Sequence, residues 1–317
     1  MERICILVLY FGVPKDSFTL YLESCKRNPT IDWLFVVDFD IKGELTDNIK
    51  VMKATLSDVE KRAREKIMPE IQLDRPYKLC DCRPFYGLLF EQELCGYDWW
   101  GYQDTDLING DIRACFERIP REGYDKINRW GHLSLLRNTP ELNRLCLSDG
   151  GVLLNQRNCG FDERGFNEIL LASGKNIYTG PWAADIDCFY KRMRCVDKRT
   201  MQYLCKVPKQ KWAPRNYAKQ LFVSLNGRIF RYYCLYGKVM RDEFAYIHFR
   251  KECPVLLPSF SEDSFIITRD GFYPLDEAEL QSAESLKSLV CRYNLQEGLL
   301  KETLRFAFHF FRSLKLL

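Results

Sequence analysis

Two aspartates one residue apart, Asp104 and Asp106, follow the aromatic run Tyr97-Asp98-Trp99-Trp100-Gly101-Tyr102 and precede Leu107-Ile108-Asn109-Gly110-Asp111. On an extended chain, residues i and i+2 face the same way, so the two carboxylates are expected to converge on one ligand. Neighbouring carboxylates repel, and one of them is driven toward its protonated form. A divalent cation removes that penalty, and hard oxygen donors suit Mg²⁺ or Mn²⁺. The same three residues also serve as a solvated turn or a cap. Two features favour the cation. The preceding strand is too apolar for an exposed edge, and the acids fall at its C-terminal end, where open α/β sheets bind ligands.

Other charged residues are spaced to join this pair. Lys78, Asp81 and Arg83 crowd the first turns of a segment in which Leu79, Tyr86, Leu89, Phe90 and Leu94 recur at helical spacing. A helix N-terminus favours anions, and two cations there suit a diphosphate; a solvated polar first turn is the plain alternative. Asp38 closes the apolar run 33–38, at the sheet edge expected to hold Asp104 and Asp106, with capping of the next turn as its competing role. Further on, Phe161-Asp162-Glu163-Arg164-Gly165-Phe166-Asn167-Glu168 opens a helix. Acids at a helix mouth are ordinary caps, and they are also where an acceptor hydroxyl would find a general base. His248, one of only three histidines, ends the apolar run 243–249 before Arg250 and Lys251. It reads either as a core histidine or as the residue that completes the metal set.

The elements that must position these groups alternate from the start. Residues 4–10 form an apolar run rich in β-branched residues, as in a strand buried on both faces. Asp16 or Ser17 then caps a helix carrying Phe18, Tyr21, Leu22 and Cys25, and strands follow at 33–38 and 49–53. Ser57 and Glu60 have capping-box spacing before a charged helix to about residue 67. Strand, helix, strand in this order predicts a parallel sheet with right-handed crossovers. Asp111 is placed to cap a short helix, 124–130 reads as a strand, Pro140 opens another helix, and 150–158 reads as a loop. Asn226-Gly227 between aromatic-rich runs predicts a hairpin. At 299–317, Lys301, Arg305, His309, Arg312 and Lys315 lie opposite Leu300, Leu304, Phe308, Phe311 and Leu314. Such a basic amphipathic helix fits contact with a membrane surface, or docking onto the domain.

Composition narrows the class. The chain of 317 residues is 46% hydrophobic and 14% aromatic, enough for one large α/β domain or one domain and an appendage. Its 47 basic and 43 acidic residues nearly balance, which does not point to nucleic acid. Fourteen cysteines are scattered without a Cys-x-x-Cys, against a zinc ribbon or a thiol redox site. With no signal peptide at Met1-Glu2-Arg3-Ile4, they are expected to be free thiols in a reducing cytosol. No apolar run reaches the roughly 18 residues of a membrane span.

Several ordered motifs together resemble the bacterial glycosyltransferases of capsular and surface polysaccharide assembly that have the GT-A fold. They are Tyr77-Lys78-Leu79-Cys80-Asp81-Cys82-Arg83-Pro84, the stretch from Gly96 to Ile112 around Asp104-Thr105-Asp106, Gly131-His132-Leu133-Ser134-Leu135-Leu136-Arg137-Asn138, and Tyr246-Ile247-His248-Phe249. The resemblance implies a Rossmann-like mixed sheet flanked by helices over residues 1–275, with a nucleotide-binding half at 1–112 and an acceptor-side half at 113–275. Residues 276–317 would be a helical appendage touching the membrane. It implies a nucleotide-sugar donor, most simply a UDP-sugar such as UDP-galactose or UDP-glucose, and a Mn²⁺ or Mg²⁺ ion. The acceptor would be a lipid-linked or growing surface polysaccharide, and the location cytoplasmic or peripheral on the inner membrane face. Carried over, Asp104, Asp106 and His248 hold the metal; Asp38, Lys78, Asp81, Arg83 and Asp104 meet the donor; Asp162, Glu163 and Glu168 are candidate bases. Asn167-Glu168 stands where several inverting families carry Glu-Asp, so base and stereochemistry stay open. The alternative is a non-catalytic module that binds sugar nucleotides or glycans within an assembly complex.

Overall fold

The computed structural model describes residues 1–148, 160–186, 220–249, 264–268 and 271–294. Strand β1 (Ile4–Tyr10) lies in the interior of the central sheet. Ile4, Ile6 and Val8 face one core with Phe18, Tyr21 and Trp33, while Cys5 and Leu7 face another with Phe85, Tyr86 and Trp100. Burial of both faces calls for parallel neighbours with helices outside them, and β2 (Asp32–Val37), β3 (Ile49–Lys53) and β4 (Trp99–Gln103) pair in parallel as β3-β2-β1-β4. After β5 (Leu107–Asn109) and β6 (Lys126–Ile127), β7 (Leu133–Arg137) joins β4 antiparallel, and β6 and β8 (Ile177–Tyr178) extend the sheet beyond it. The fold is therefore α/β, a central mixed sheet flanked by helices.

Two smaller sheets accompany it among the described residues. After β9 (Ala183–Asp185), the hairpin of β10 (Gln220–Leu225) and β11 (Arg228–Leu235) turns on Asn226 and Gly227, both with positive φ, as a type I′ turn requires. The chain continues through β12 (Lys238–Phe244), β13 (Tyr246–His248), β14 (Ser264–Ile267) and β15 (Phe272–Pro274). Five of these strands form an antiparallel sheet, β12-β11-β10-β14-β15, while β5-β13-β9 form a separate one of three. The helix Ala283–Asn294 covers the five-stranded sheet, setting Leu286, Leu289 and Val290 against Leu221, Val223 and Ile266.

Several local expectations shift. The capping box is Thr55 with Asp58, not Ser57 with Glu60. Thr55 is extended, its hydroxyl accepts the Asp58 N–H, and the Asp58 carboxylate accepts the Thr55 N–H at 2.8 Å. Glu60 instead accepts the Leu73 N–H at 2.7 Å. The segment after Pro76 is a broken helix, α-turns at Leu79–Cys82 and Tyr86–Leu89 around a 3₁₀ turn at Arg83–Phe85, because Pro84 supplies no N–H to continue the ladder. The strand at 124–130 shrinks to two residues, ended by Asn128 at φ 67°. The run 243–249 is two strands, since Phe244 ends one sheet and Tyr246 begins another. Among the described residues nine cysteines are free, and no helix is long and apolar enough to cross a membrane. The loop at 150–158, Cys159, Arg250, Lys251 and the amphipathic helix at 299–317 lie outside the described residues.

Candidate metal centre

The site begins with a bend. Asp104 and Asp106 sit between β4 and β5, where the chain is no longer extended, so strand alternation does not bring them together. Gln103 pins the bend at its base. Its side-chain carbonyl accepts the Tyr21 hydroxyl at 2.7 Å and the Trp33 indole N–H at 3.2 Å, and its amide donates to Asn109 Oδ1 at 2.7 Å. One buried amide thus ties residue 103 to residue 109 and leaves the acids projecting. Their backbones are anchored as well, the Asp104 N–H donating to the His132 carbonyl at 3.0 Å and the Phe249 N–H to the Asp106 carbonyl at 2.8 Å.

β13 supplies the third group. It pairs antiparallel with β5, placing His248 opposite Leu107 and its Nε2 3.4 Å from Asp106 Oδ1. One ligand atom from each of Asp104, Asp106 and His248 lies within 4.8 Å of the others. Two carboxylate oxygens and an imidazole nitrogen at that spacing fit a divalent cation of the Mn²⁺ or Mg²⁺ kind. Burial pushes the Asp104 carboxyl above the usual carboxylate range; Arg83 opposes the rise, and Asp106 adds to it. Added positive charge among these groups would relieve that strain.

Arg83 supplies part of it and reaches further. Its Nη2 donates to Asp104 Oδ1, and its Nη1 donates at 3.0 Å to both Asp162 Oδ2 and the Gly131 carbonyl. Its guanidinium lies 5.6 Å from the centre of the Tyr102 ring. A single side chain therefore joins the acid bend to the acids of the 160–163 turn. Burial lifts the Asp162 carboxyl to about 6, Arg83 restraining it and Glu163 raising it. Glu163 accepts the Gly131 N–H at 2.9 Å. Gly131 keeps this junction close, since a Cβ there would stand 2.6 Å from Asp162 Oδ2 and 2.9 Å from Arg83 Nη1 and would force them to shift.

Beneath them lies Lys126, fully buried, its amine pushed down to about 7 by burial, with Asp162 and Glu163 resisting. It donates to Asn167 Oδ1 at 2.8 Å, and the Asn167 amide donates to the Arg129 and Glu163 carbonyls at 2.9 and 2.6 Å. Asn167 is thus a strut under the acid turn, whereas the next residue, Glu168, is exposed. Lys78 and Asp81 are buried as an ion pair at 2.8 Å, and Asp81 also accepts the Phe161 N–H at 3.0 Å. They fasten the broken helix to the acid turn. Asp38 is exposed at the end of β2, accepting the Gly12 N–H at 2.9 Å.

Sequence reasoning assigned no role to His132 or Tyr246. The His132 ring stacks on that of His248, centroids 4.5 Å apart and planes 18° apart, and its Nδ1 lies 2.5 Å from the Tyr246 hydroxyl. Asn128 donates to the same hydroxyl at 3.0 Å. The scarcity of histidine was the available signal, because two of the three in the chain touch here.

Fold and site together define an α/β protein with two carboxylates and a histidine gathered beyond the C-terminal end of a central parallel strand. The chain belongs to the family described as a family of unknown function, DUF6625, whose model matches residues 6–276. No curated protein matches it. Among solved structures it is similar to the apo form of mouse xyloside xylosyltransferase 1, at 10% identity and TM-score 0.47, covering 80% of this chain and 99% of that one. It is also similar to the apo form of the glycosyltransferase GlyE of Streptococcus pneumoniae TIGR4, at 13% identity and TM-score 0.44, covering 99% of this chain and 64% of that one.

Proposed function

We propose that the protein is a metal-dependent glycosyltransferase that moves a hexose from a UDP-sugar, such as UDP-galactose or UDP-glucose, to a glycan hydroxyl. The observation that carries this reading is the convergence of Asp104, Asp106 and His248, with Arg83 joining Asp104 to Asp162. Asp104, Asp106 and His248 would hold a Mn²⁺ or Mg²⁺ ion. Such an ion, when bound, neutralises diphosphate charge as the nucleotide departs. Arg83 adds a fixed positive charge that needs no reorganisation during the reaction. Asp162 is the best placed of the three candidate bases: it is buried, touches Arg83, and changes charge near neutral pH, where a general base works most effectively. Glu163 is tied to the Gly131 amide and Glu168 is exposed, which makes them weaker candidates. Asp38, Lys78 and Asp81 would act around the donor by fixing the surrounding loops. A lipid-linked or growing surface polysaccharide as acceptor, and a place on the inner membrane face, would follow from the motif resemblance and the basic amphipathic sequence pattern at 299–317.

The test is a screen of nucleotide sugars with Mn²⁺, reading free UDP or GDP, repeated with EDTA and with Asp106→Ala. Turnover abolished by both supports the proposal. Turnover that survives both removes the metal role. Binding of UDP and Mn²⁺ without turnover of any donor would make the protein a binding module.

A further inference from the structure

The three candidate ligands come from two distant parts of the chain, Asp104 and Asp106 from the bend after β4 and His248 from β13. His132 touches both parts. Its carbonyl accepts the Asp104 N–H at 3.0 Å, and its ring lies over that of His248, centroids 4.5 Å apart and planes 18° apart. The residue before it is held as well: the Gly131 carbonyl accepts Arg83 Nη1 at 3.0 Å, and Arg83 also reaches the Asp104 carboxylate.

The His132 ring is itself fixed. Residues i and i+2 of a strand face the same way, about 6.6 Å apart, so Tyr246 and His248 project from one side of β13. His132 spans them, its face on His248 and its Nδ1 2.5 Å from the Tyr246 hydroxyl. The Asn128 amide donates to that hydroxyl at 3.0 Å and to the Leu133 carbonyl at 2.6 Å, while its side-chain oxygen accepts the Arg129 N–H at 2.9 Å. All four side chains are buried, so water does not compete strongly for these contacts.

We infer, resting on the metal reading of Asp104, Asp106 and His248, that His132 is a positioning residue: tethered at its edge by Tyr246, it sets the plane of the His248 imidazole. An imidazole binds a cation only along the in-plane lone pair of its nitrogen, so rotation of the His248 ring costs affinity. Partners of a ligating histidine ordinarily fix that angle through a hydrogen bond. A stacked face fixes it too, because turning the His248 ring would drive its edge into His132. His248 Nε2 is thereby kept toward Asp106 Oδ1, 3.4 Å away. Among the described residues the donors gathered within 4.8 Å are those of Asp104, Asp106 and His248, without His132. His132 therefore acts through His248 and not on the ion.

The experiment titrates the full chain with Mn²⁺, reading free ion by electron paramagnetic resonance and the folded fraction by circular dichroism. Per folded molecule, His132→Ala should weaken Mn²⁺ binding about 10- to 100-fold, the usual cost of losing a partner that orients a ligand. His132→Phe and Tyr246→Phe each remove the tether but keep an aromatic face on His248. Each should therefore cost less than His132→Ala, and the two together should cost no more than either alone, because both break one contact. Should His132→Ala fail to fold, this double-mutant cycle decides. Losses that simply add, or a His132→Ala protein that binds Mn²⁺ as the wild type does, overturn the inference. A His132→Phe loss as large as that of Asp106→Ala would make His132 a ligand and overturns it too. Wild-type uptake of Mn²⁺ that Asp106→Ala abolishes keeps the metal reading whatever His132 does; a wild type that takes up no Mn²⁺ removes that reading and the inference with it.

Discussion

Replacing Lys126 with methionine should stabilise the protein at low pH and destabilise it at high pH. The amine is fully buried, and burial pushes its pKa down from 10.5 to about 7. A lowered amine pKa means that the unfolded chain holds the proton more tightly than the native one. Stability therefore rises with pH between 7 and 10.5, and below 7 the ammonium is carried at full cost. With each pH unit worth roughly 1.4 kcal/mol, that cost is on the order of 5 kcal/mol at pH 6 and falls to on the order of 1 kcal/mol at pH 9.5. Methionine has a similar length and no charge. It also leaves Asn167 Oδ1 without its 2.8 Å donor, a loss of roughly 1–3 kcal/mol at either pH. Lys126→Met should thus be more stable than the wild type by about 2–4 kcal/mol at pH 6, and near neutral or less stable at pH 9.5. Urea unfolding of both proteins at the two pH values measures the difference, whose change of about 3 kcal/mol between them is the decisive quantity. A difference that does not vary with pH would show that the amine titrates normally and that the reasoning about its burial is wrong.

Asp104→Asn and Asp106→Asn should each weaken Mn²⁺ binding at least about tenfold by calorimetry, because each removes one of only two carboxylates from the set. Gly131→Ala should lower stability by roughly 1–3 kcal/mol in a denaturant titration and cripple turnover, because the new methyl group pushes Arg83 from Asp162. If Asp162 takes the acceptor proton, kcat/KM should fall below a pKa of about 6, and Asp162→Asn should abolish that limb together with most of the rate. Its raised pKa also means that the folded chain holds a proton the unfolded chain releases between 3.8 and about 6. This group's contribution to stability therefore falls as pH rises through that window, and Asp162→Asn should gain on the wild type from pH 4 to pH 7 in the same unfolding assay. Gln103→Leu should reduce Mn²⁺ affinity with the fold retained, because the tie between residues 103 and 109 is lost.

Much of this arrangement was legible in the sequence because it is local. Unbroken apolar runs reported the parallel strands, and Asn226-Gly227 reported the hairpin. The acids of the bend and His248 were legible as types and as neighbours-to-be. Their mode of approach was not, since it depends on Gln103 reaching Asn109 and on a strand changing sheets at Ala245. Lys78 and Asp81 illustrate the limit. From sequence they are a charged first turn that meets either a diphosphate or solvent; in the fold they are an inward ion pair, because the proline-broken helix turns that face onto the 160–163 turn. The role of Asn167 was hidden for the same reason, as its partner Lys126 lies 41 residues away.

The strand that carries His248 leaves the five-stranded sheet only one residue earlier, at Phe244. Any ion gripped by His248 and the two aspartates therefore staples the late antiparallel portion of the chain to the early parallel portion. Loaded protein should melt in one step, whereas the stripped protein should loosen at that seam first. Divalent-cation concentration would then set how long the fold survives.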